Sequence, residues 1–168
     1  MLNKYVEALG KTDKAEQIMA DYQARIEEFQ AQMGDRLQKI EVSTVRVRQD
    51  IIEIYLENSF SGTIVADVGL PRPSTQANAE TPFAIEISKE LLQRADGDDI
   101  FVWTAGGNEE LAKNDRSSLK QLKADPLWSK LNAVQQGRVY DVSSYWNGMG
   151  PISANLVLDD LFEYLVEK

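Results

Sequence analysis

Apolar residues recur along this chain at two spacings, one helical and one extended, and the order in which the two alternate predicts its architecture. Ala15, Ile18, Met19, Tyr22, Ile26, Phe29 and Met33 follow helical spacing, opened by Asp13 with Glu16 as a capping pair and closed by Gly34. At 1.5 Å per residue that helix is roughly 30 Å long. Its stripe is too short and irregular for a coiled-coil seam and reads as packing. A shorter helix precedes it, with Leu2, Tyr5, Val6 and Leu9 on one face and Gly10 as its stop. Residues 42–47 and 51–56 are rich in β-branched side chains and read as neighbouring strands across the short break at 48–50. A helix follows, capped by Ser59 or Ser61, carrying Ile64, Val65 and Val68, and ended by Gly69 with Pro71 and Pro73 behind it.

The alternation continues to the end of the chain. Residues 74–80 are polar and loop-like, 83–87 are extended, and Ser88 caps a helix containing Leu91 and Leu92. Residues 100–103 form a short buried strand, Gly106 and Gly107 open a loop, and 108–123 are helical. Asp125-Pro126 starts another helix, with Trp128 and Leu131 on one face, and Gln136-Gly137 stops it. Residues 139–142 are a strand, and 143–150 are a loop carrying Tyr145 and Trp146. Gly150-Pro151 opens a last helix whose Leu156, Leu161 and Leu165 face inward. Strands separated by helices imply an α/β fold: a three-layer sandwich on a mostly parallel sheet, preceded by the long helix. No internal repeat or low-complexity segment interrupts it.

Composition narrows the chemistry. The net charge of −9 removes the clustered Lys and Arg that nucleic-acid binding requires. Cysteine and histidine are both absent, so disulfides, thiol nucleophiles, imidazole bases and the usual zinc ligand sets are excluded, and direct metal binding would need a carboxylate cage. No run is apolar for long enough to span a bilayer. Met1 leads into an amphipathic helix rather than a basic segment and apolar core, which reads as a cytoplasmic protein or as part of a longer one. Gly106-Gly107 has neither the GxGxxG nor the GxxxxGK[ST] context of a phosphate loop, and no GxSxG elbow occurs. The adjacent acids Asp98-Asp99 and Asp159-Asp160 read as solvated charge rather than an acid/base pair. Catalysis is therefore disfavoured.

Recognition chemistry is better represented. Arg46 and Arg48 lie two apart on a strand, so both point to one face, where they either clamp an anion or run along a solvated surface. Tyr145 and Trp146, on a loop beyond a strand's C-terminal end, either form a ligand wall or plug the core; Trp103, at the end of another strand, poses the same choice, whereas Trp128 reads as core.

The tail DPLWSKLNAVQQGRVYDVSSYWNGMGPISANLVLDDL resembles the C-terminus of the iron-siderophore substrate-binding proteins of bacterial ABC importers. The resemblance covers nearly the whole chain. LGKTDKAEQIMADYQARIEEF is similar to their long helix crossing between two lobes, VSTVRVRQDIIEIYLENSFSGTIVADVGLPRP to the first strands and helix of their C-terminal lobe, and IEISKELLQRADGDDIFVW to its next helix and strand. It implies a division into interlobe helices over 1–36 and a C-terminal α/β lobe over 37–168, with the N-terminal lobe, signal peptide and any lipid-anchor cysteine lying elsewhere. The implied ligand is a ferric siderophore or ferric citrate-type complex, delivered to a membrane permease driven by an ATPase, in the periplasm or at the cell surface. Haem and cobalamin carriers of the same superfamily, and a stand-alone α/β protein-interaction domain, are the alternatives. The siderophore itself satisfies the iron, so no cofactor or protein metal ligand is expected; Arg46 and Arg48 would meet the anionic complex, and Trp103, Tyr145 and Trp146 its organic part. The resemblance also assigns permease docking to Glu90, whose other reading is a first-turn acid favoured by the helix dipole.

Overall fold

The computed structural model describes residues 12–77, 83–104 and 107–166. Helix α1, Thr12–Met33, contains no glycine or proline, and its apolar stripe buries progressively: Ile26, Phe29 and Met33 are inside, while Ile18 and Tyr22 are half-covered and Met19 is exposed. Gly34 ends it at φ +53°, a left-handed value that costs a glycine little. The short helix read at Leu2, Tyr5, Val6 and Leu9 lies outside the described residues, as does Gly106.

Strands β1 (Val42–Arg48) and β2 (Ile51–Tyr55) are joined by the two-residue turn Gln49-Asp50 and are therefore antiparallel. Helix α2, Phe60–Asp67, is capped by Ser59, whose hydroxyl oxygen accepts the Gly62 N–H at 2.9 Å. Strand β3 (Ala84–Ile87) is followed by the 3₁₀ segment Lys89–Ala95, and β4 (Asp99–Thr104) by α3 (Glu109–Lys123), with the Asn108 side chain accepting the Leu111 N–H. The helix expected after Ser88 is thus a 3₁₀ segment, and the Ser88 side chain does not cap it. The helix expected from Asp125 is also divided. Asp125 accepts the Leu127 N–H at 2.8 Å, a 3₁₀ turn covers Trp128–Lys130, and the extended backbone of Leu131 (ψ 139°) separates that turn from α4, Asn132–Gln135. Strand β5 (Val139–Asp141), the 3₁₀ turn Ser144–Asn147 and α5 (Gly150–Leu161) complete the order, with the last turn, Phe162–Val166, widened to π geometry. In that helix Leu161 and Leu165 are buried, but Leu156 is 38% exposed, contrary to the inward position expected for it.

The strands form one sheet in the order β3-β2-β1-β4-β5. β1 pairs in parallel with β4, and β4 with β5; β2 pairs antiparallel with both β1 and β3, so four strands share one direction and β2 alone opposes them. Alternation along the strands supplies two cores. On one face Val42, Tyr55, Phe101 and Trp103 pack under α1, α2 and α5 with Phe29, Val65, Trp146 and Leu158. On the other, Val45, Val47, Ile54, Ile100 and Val102 pack with Leu92, Leu122 and Trp128. This is the three-layer sandwich, with Trp128 inside it as expected.

Candidate functional site

The register of the sheet decides which polar side chains meet. Arg46 lies opposite Glu53 on β2 and opposite Trp103 on β4, and all three belong to the face covered by α1, α2 and α5. Arg46 Nη1 donates to the Tyr55 hydroxyl at 2.8 Å and stands 3.5 Å from Glu53 Oε2. Two residues on, Arg48 places Nη2 3.6 Å from Glu53 Oε1 and 4.0 Å from Glu86. The two guanidinium groups therefore share one carboxylate. The Arg48 side chain is 41% exposed and that of Arg46 16%, so both arginines reach solvent while Glu53 lies beneath them with 9% of its side chain exposed.

The aromatic positions join this patch through ring contacts. Tyr55 meets Trp103 edge-on at 5.1 Å between centroids, Trp103 meets Trp146 at 5.9 Å, and Trp146 stacks on Phe101 at 4.6 Å and 19°. Trp146 Nε1 donates to Asp160 at 2.6 Å, and the Tyr145 hydroxyl donates to the same carboxylate at 2.9 Å. The candidate residues other than Glu90 thus form one connected series running from Arg48 to Tyr145.

Two of them do not face a ligand. Trp146 is fully buried and Trp103 is 1% exposed, so both read as core plugs rather than as ligand walls. The physical reason is the 3₁₀ turn Ser144–Asn147, which folds the Trp146 indole down onto Phe101 and lets Asp160 satisfy its N–H. Tyr145 remains half-exposed above them. Burial, together with its bond to Asp160, pushes the Tyr145 hydroxyl pKa well above its ordinary value. Burial likewise raises Asp160, against the lowering effect of the Trp146 and Tyr145 hydrogen bonds.

The acid pairs are likewise structural. Asp160 is 8% exposed and anchors the aromatic loop, whereas Asp159 pairs at the surface with Arg25. Asp99 is buried and accepts the Tyr140 hydroxyl at 2.8 Å, and Asp98 accepts the Glu41 N–H. Solvated charge describes Asp159 alone among these four. Glu90 is fully exposed in the 3₁₀ segment after β3; the Ser88 hydroxyl, then its own backbone N–H, holds its carboxyl below the usual range.

Sequence reading missed Glu53, Tyr55 and Asp115. A lone acid among isoleucines in IIEIY, on the strand next to paired arginines, was the signal available for Glu53. Asp115 is buried on α3 and accepts the Gln49 N–H at 2.7 Å, which holds the β1–β2 turn at the left-handed φ of +51° seen for Gln49. That turn immediately follows Arg48. An apolar concavity of about 480 Å³ lies elsewhere, between α1, α2 and the start of α5, lined by residues such as Ile18, Met19, Phe60 and Pro151. It offers Asp67 and no cation, so it does not suit an anion. Among the described residues no group of three or more Asp or Glu side chains is placed to hold a metal ion.

Comparison with known proteins bears on the family and the fold. A family model described as "Periplasmic binding protein" matches residues 2–145. The chain is 30% identical over 174 residues to the probable siderophore-binding lipoprotein YfiY of Bacillus subtilis, covering 99% of this chain and 52% of that protein. Its structure is similar to that of Staphylococcus aureus SirA, with TM-score 0.88, 26% identity, and 99% of this chain and 64% of that one covered; SirA complexed with staphyloferrin B gives 0.85 at the same identity, over 96% and 58%. FeuA from Bacillus subtilis, a triscatecholate siderophore binding protein complexed with ferri-bacillibactin, is similar at TM-score 0.75 and 26% identity, covering 93% of this chain and 56% of that one. The chain spans about half the length of the curated relatives it matches.

Proposed function

Because the chain belongs to the periplasmic binding protein family, we propose that it is the C-terminal half of the solute-binding component of an ABC importer, and that its ligand is an anionic ferric siderophore. The observation that carries this reading is the pair Arg46 and Arg48 on one sheet face, both reaching solvent around a shared carboxylate. Two guanidinium groups that close offer fork-shaped donors to carboxylate or phenolate oxygens at the rim of a metal complex. The complex occupies a cleft whose other wall is a first lobe, with α1 as the helix between the lobes and residues 37–168 as the second lobe. Iron is cargo, held by siderophore oxygens. Tyr145, half-exposed near the same series of rings, is the aromatic best placed to meet the organic part.

The ligands printed for SirA and FeuA, staphyloferrin B and ferri-bacillibactin, support the siderophore class. A relative named as a lipoprotein supports a position outside the cytoplasmic membrane, in the periplasm or at the cell surface. The protein's task is binding and delivery rather than catalysis, and exposed Glu90 is the point at which a permease arginine would dock.

Titration with ferric siderophores and with the same molecules free of iron tests the reading. Micromolar or tighter binding of a ferric form, with weaker binding of the iron-free form, is expected; a protein that binds haem or cobalamin and no ferric complex would overturn it.

A further inference from the structure

The turn that ends β1 holds the one non-glycine residue, among those described, with a left-handed backbone: Gln49, at φ +51°. A two-residue hairpin turn calls for a positive φ, and glycine, asparagine or aspartate is its usual occupant, so glutamine is strained there. Asp115 keeps it in place. Its Oδ1 accepts the Gln49 N–H at 2.7 Å, a short charge-assisted bond, and at 2% exposure it is shielded from the water that would weaken that bond. Asp115 belongs to α3, whose Leu122 packs with Val45 and Val47 on the sheet face opposite the arginines. It therefore reaches the arginine face through the backbone of the turn. Arg48 is the residue this affects most. It is the last residue of β1, its pairing with Ile51 closes the turn, and its guanidinium is oriented by loose contacts, 3.6 Å to Glu53 and 4.0 Å to Glu86. Arg46, two residues further into the strand, has the firmer anchor of the Tyr55 hydroxyl at 2.8 Å.

Resting on the siderophore reading above, we propose that Asp115 is a positioning residue for ligand recognition. It fixes the Gln49 turn, the turn fixes the end of β1, and Arg48 stands ready to meet an anionic ferric complex, so little binding free energy is lost to ordering that strand end. Backbone strain kept by a buried partner beside a binding residue is a recurring feature of ligand clamps. The direction of the effect separates positioning from simple charge. Asp115 is an acid, and deleting its negative charge would by itself favour an anionic ligand. Loss of the turn does the reverse: it lets Arg48 fray away from the ligand and weakens binding.

A double-mutant cycle on the two-lobed protein tests this, with ferric citrate and a hexadentate ferric tris-catecholate titrated as probes and the tighter of the two carried through. Asp115→Ala should lower affinity by about three- to tenfold, and by no more than Arg48→Ala does, whereas in an Arg48→Ala background it should change affinity by less than about twofold. Asp115→Asn keeps an Oδ1 acceptor for the Gln49 N–H and should restore binding to within about twofold of the unsubstituted protein. An equal loss in both backgrounds would make Asp115 merely structural and overturn the proposal, as would a gain or no change on Asp115→Ala. Undiminished affinity in Arg48→Ala would overturn it too, because there would be nothing to position. Failure of the unsubstituted protein to bind any ferric complex would sink the siderophore reading, and this one with it. Should Asp115→Ala not fold, the unsubstituted protein still decides. Coupling is reciprocal, so binding must steady the turn, and amide exchange at Gln49 should slow by about threefold or more with the ferric complex bound; an unchanged rate would refute the coupling.

Discussion

Arg46 has three partners in this structure, and each constrains a different part of its behaviour. Tyr55 fixes its head by a hydrogen bond, Glu53 balances its charge, and the cross-strand register keeps it beside Trp103. Removing it by Arg46→Ala should weaken an anionic ferric complex by roughly 1.5 to 3 kcal/mol, the range for hydrogen bonds to charged groups, and Arg48→Ala should cost less because Arg48 is the more exposed of the two. Titration calorimetry on each variant checks the order. Asp160 gives a second test at this scale. Its pKa is raised in the folded protein by burial, so its contribution to stability is present below the unfolded carboxylate value of about 3.9 and is lost as pH rises through the folded value. Asp160→Asn should therefore gain on the unsubstituted protein in melting temperature between acidic and neutral pH; a difference that moves the other way would place the dominant effect in the Trp146 and Tyr145 hydrogen bonds. Spacing made Arg46 and Arg48 legible as a pair. It could not show that Trp103 and Trp146 point into the core, because a strand end and a loop allow either direction and only the packing of Phe101 against Trp146 decides.

Among the elements, β1 is the one that everything else positions. At one end Asp115 on α3 holds the Gln49 turn that follows Arg48. Near the other, the segment after α2 brings in Arg72, 9% exposed, whose guanidinium donates to the Thr44 hydroxyl, the Tyr55 carbonyl and the Gln76 side chain, while Gln76 in turn donates to the Ser43 hydroxyl and the Arg94 carbonyl. Burial brings the Arg72 pKa down to about 10, with Glu57 opposing the fall. Arg72→Met should cost about 2 to 4 kcal/mol in chemical denaturation, since it strips partners from several buried groups, each worth roughly 1 to 3 kcal/mol when left unpaired. A cost below about 0.5 kcal/mol, the scale of ordinary surface substitutions, would mean the network is dispensable. Glu90 is exposed in the 3₁₀ segment after β3, so Glu90→Arg should leave ferric-complex affinity and melting temperature unchanged and lower uptake; normal uptake would remove its docking role. Element order was readable because helical and extended periods alternate cleanly. The types of the short pieces were not: 89–95 and 125–136 carry helix-start residues, yet Leu131 must turn extended and the segment after Ser88 tightens to 3₁₀ geometry, which periodicity over a few residues does not distinguish.

At the scale of the molecule, both faces of the sheet carry a buried core built within the described residues, one of them around Phe101 and Trp146 and the other around Val102 and Trp128. The 168-residue chain should therefore unfold cooperatively by itself with a native near-UV dichroism signal, and a broad transition lacking that signal would show that it depends on a partner lobe. Its affinity for ligand alone should be low, since a cleft with one wall supplies only part of the contacts and excludes little water. The central claim is that Arg46 and Arg48 together recognise an anionic ferric siderophore, and the most direct measurement is calorimetric titration of the two-lobed protein against its Arg46→Ala/Arg48→Ala double variant. The account expects the double variant to melt as a folded protein and to lose at least about tenfold in affinity, the equivalent of about 1.4 kcal/mol; a folded double variant with undiminished affinity for every anionic ferric complex would contradict it.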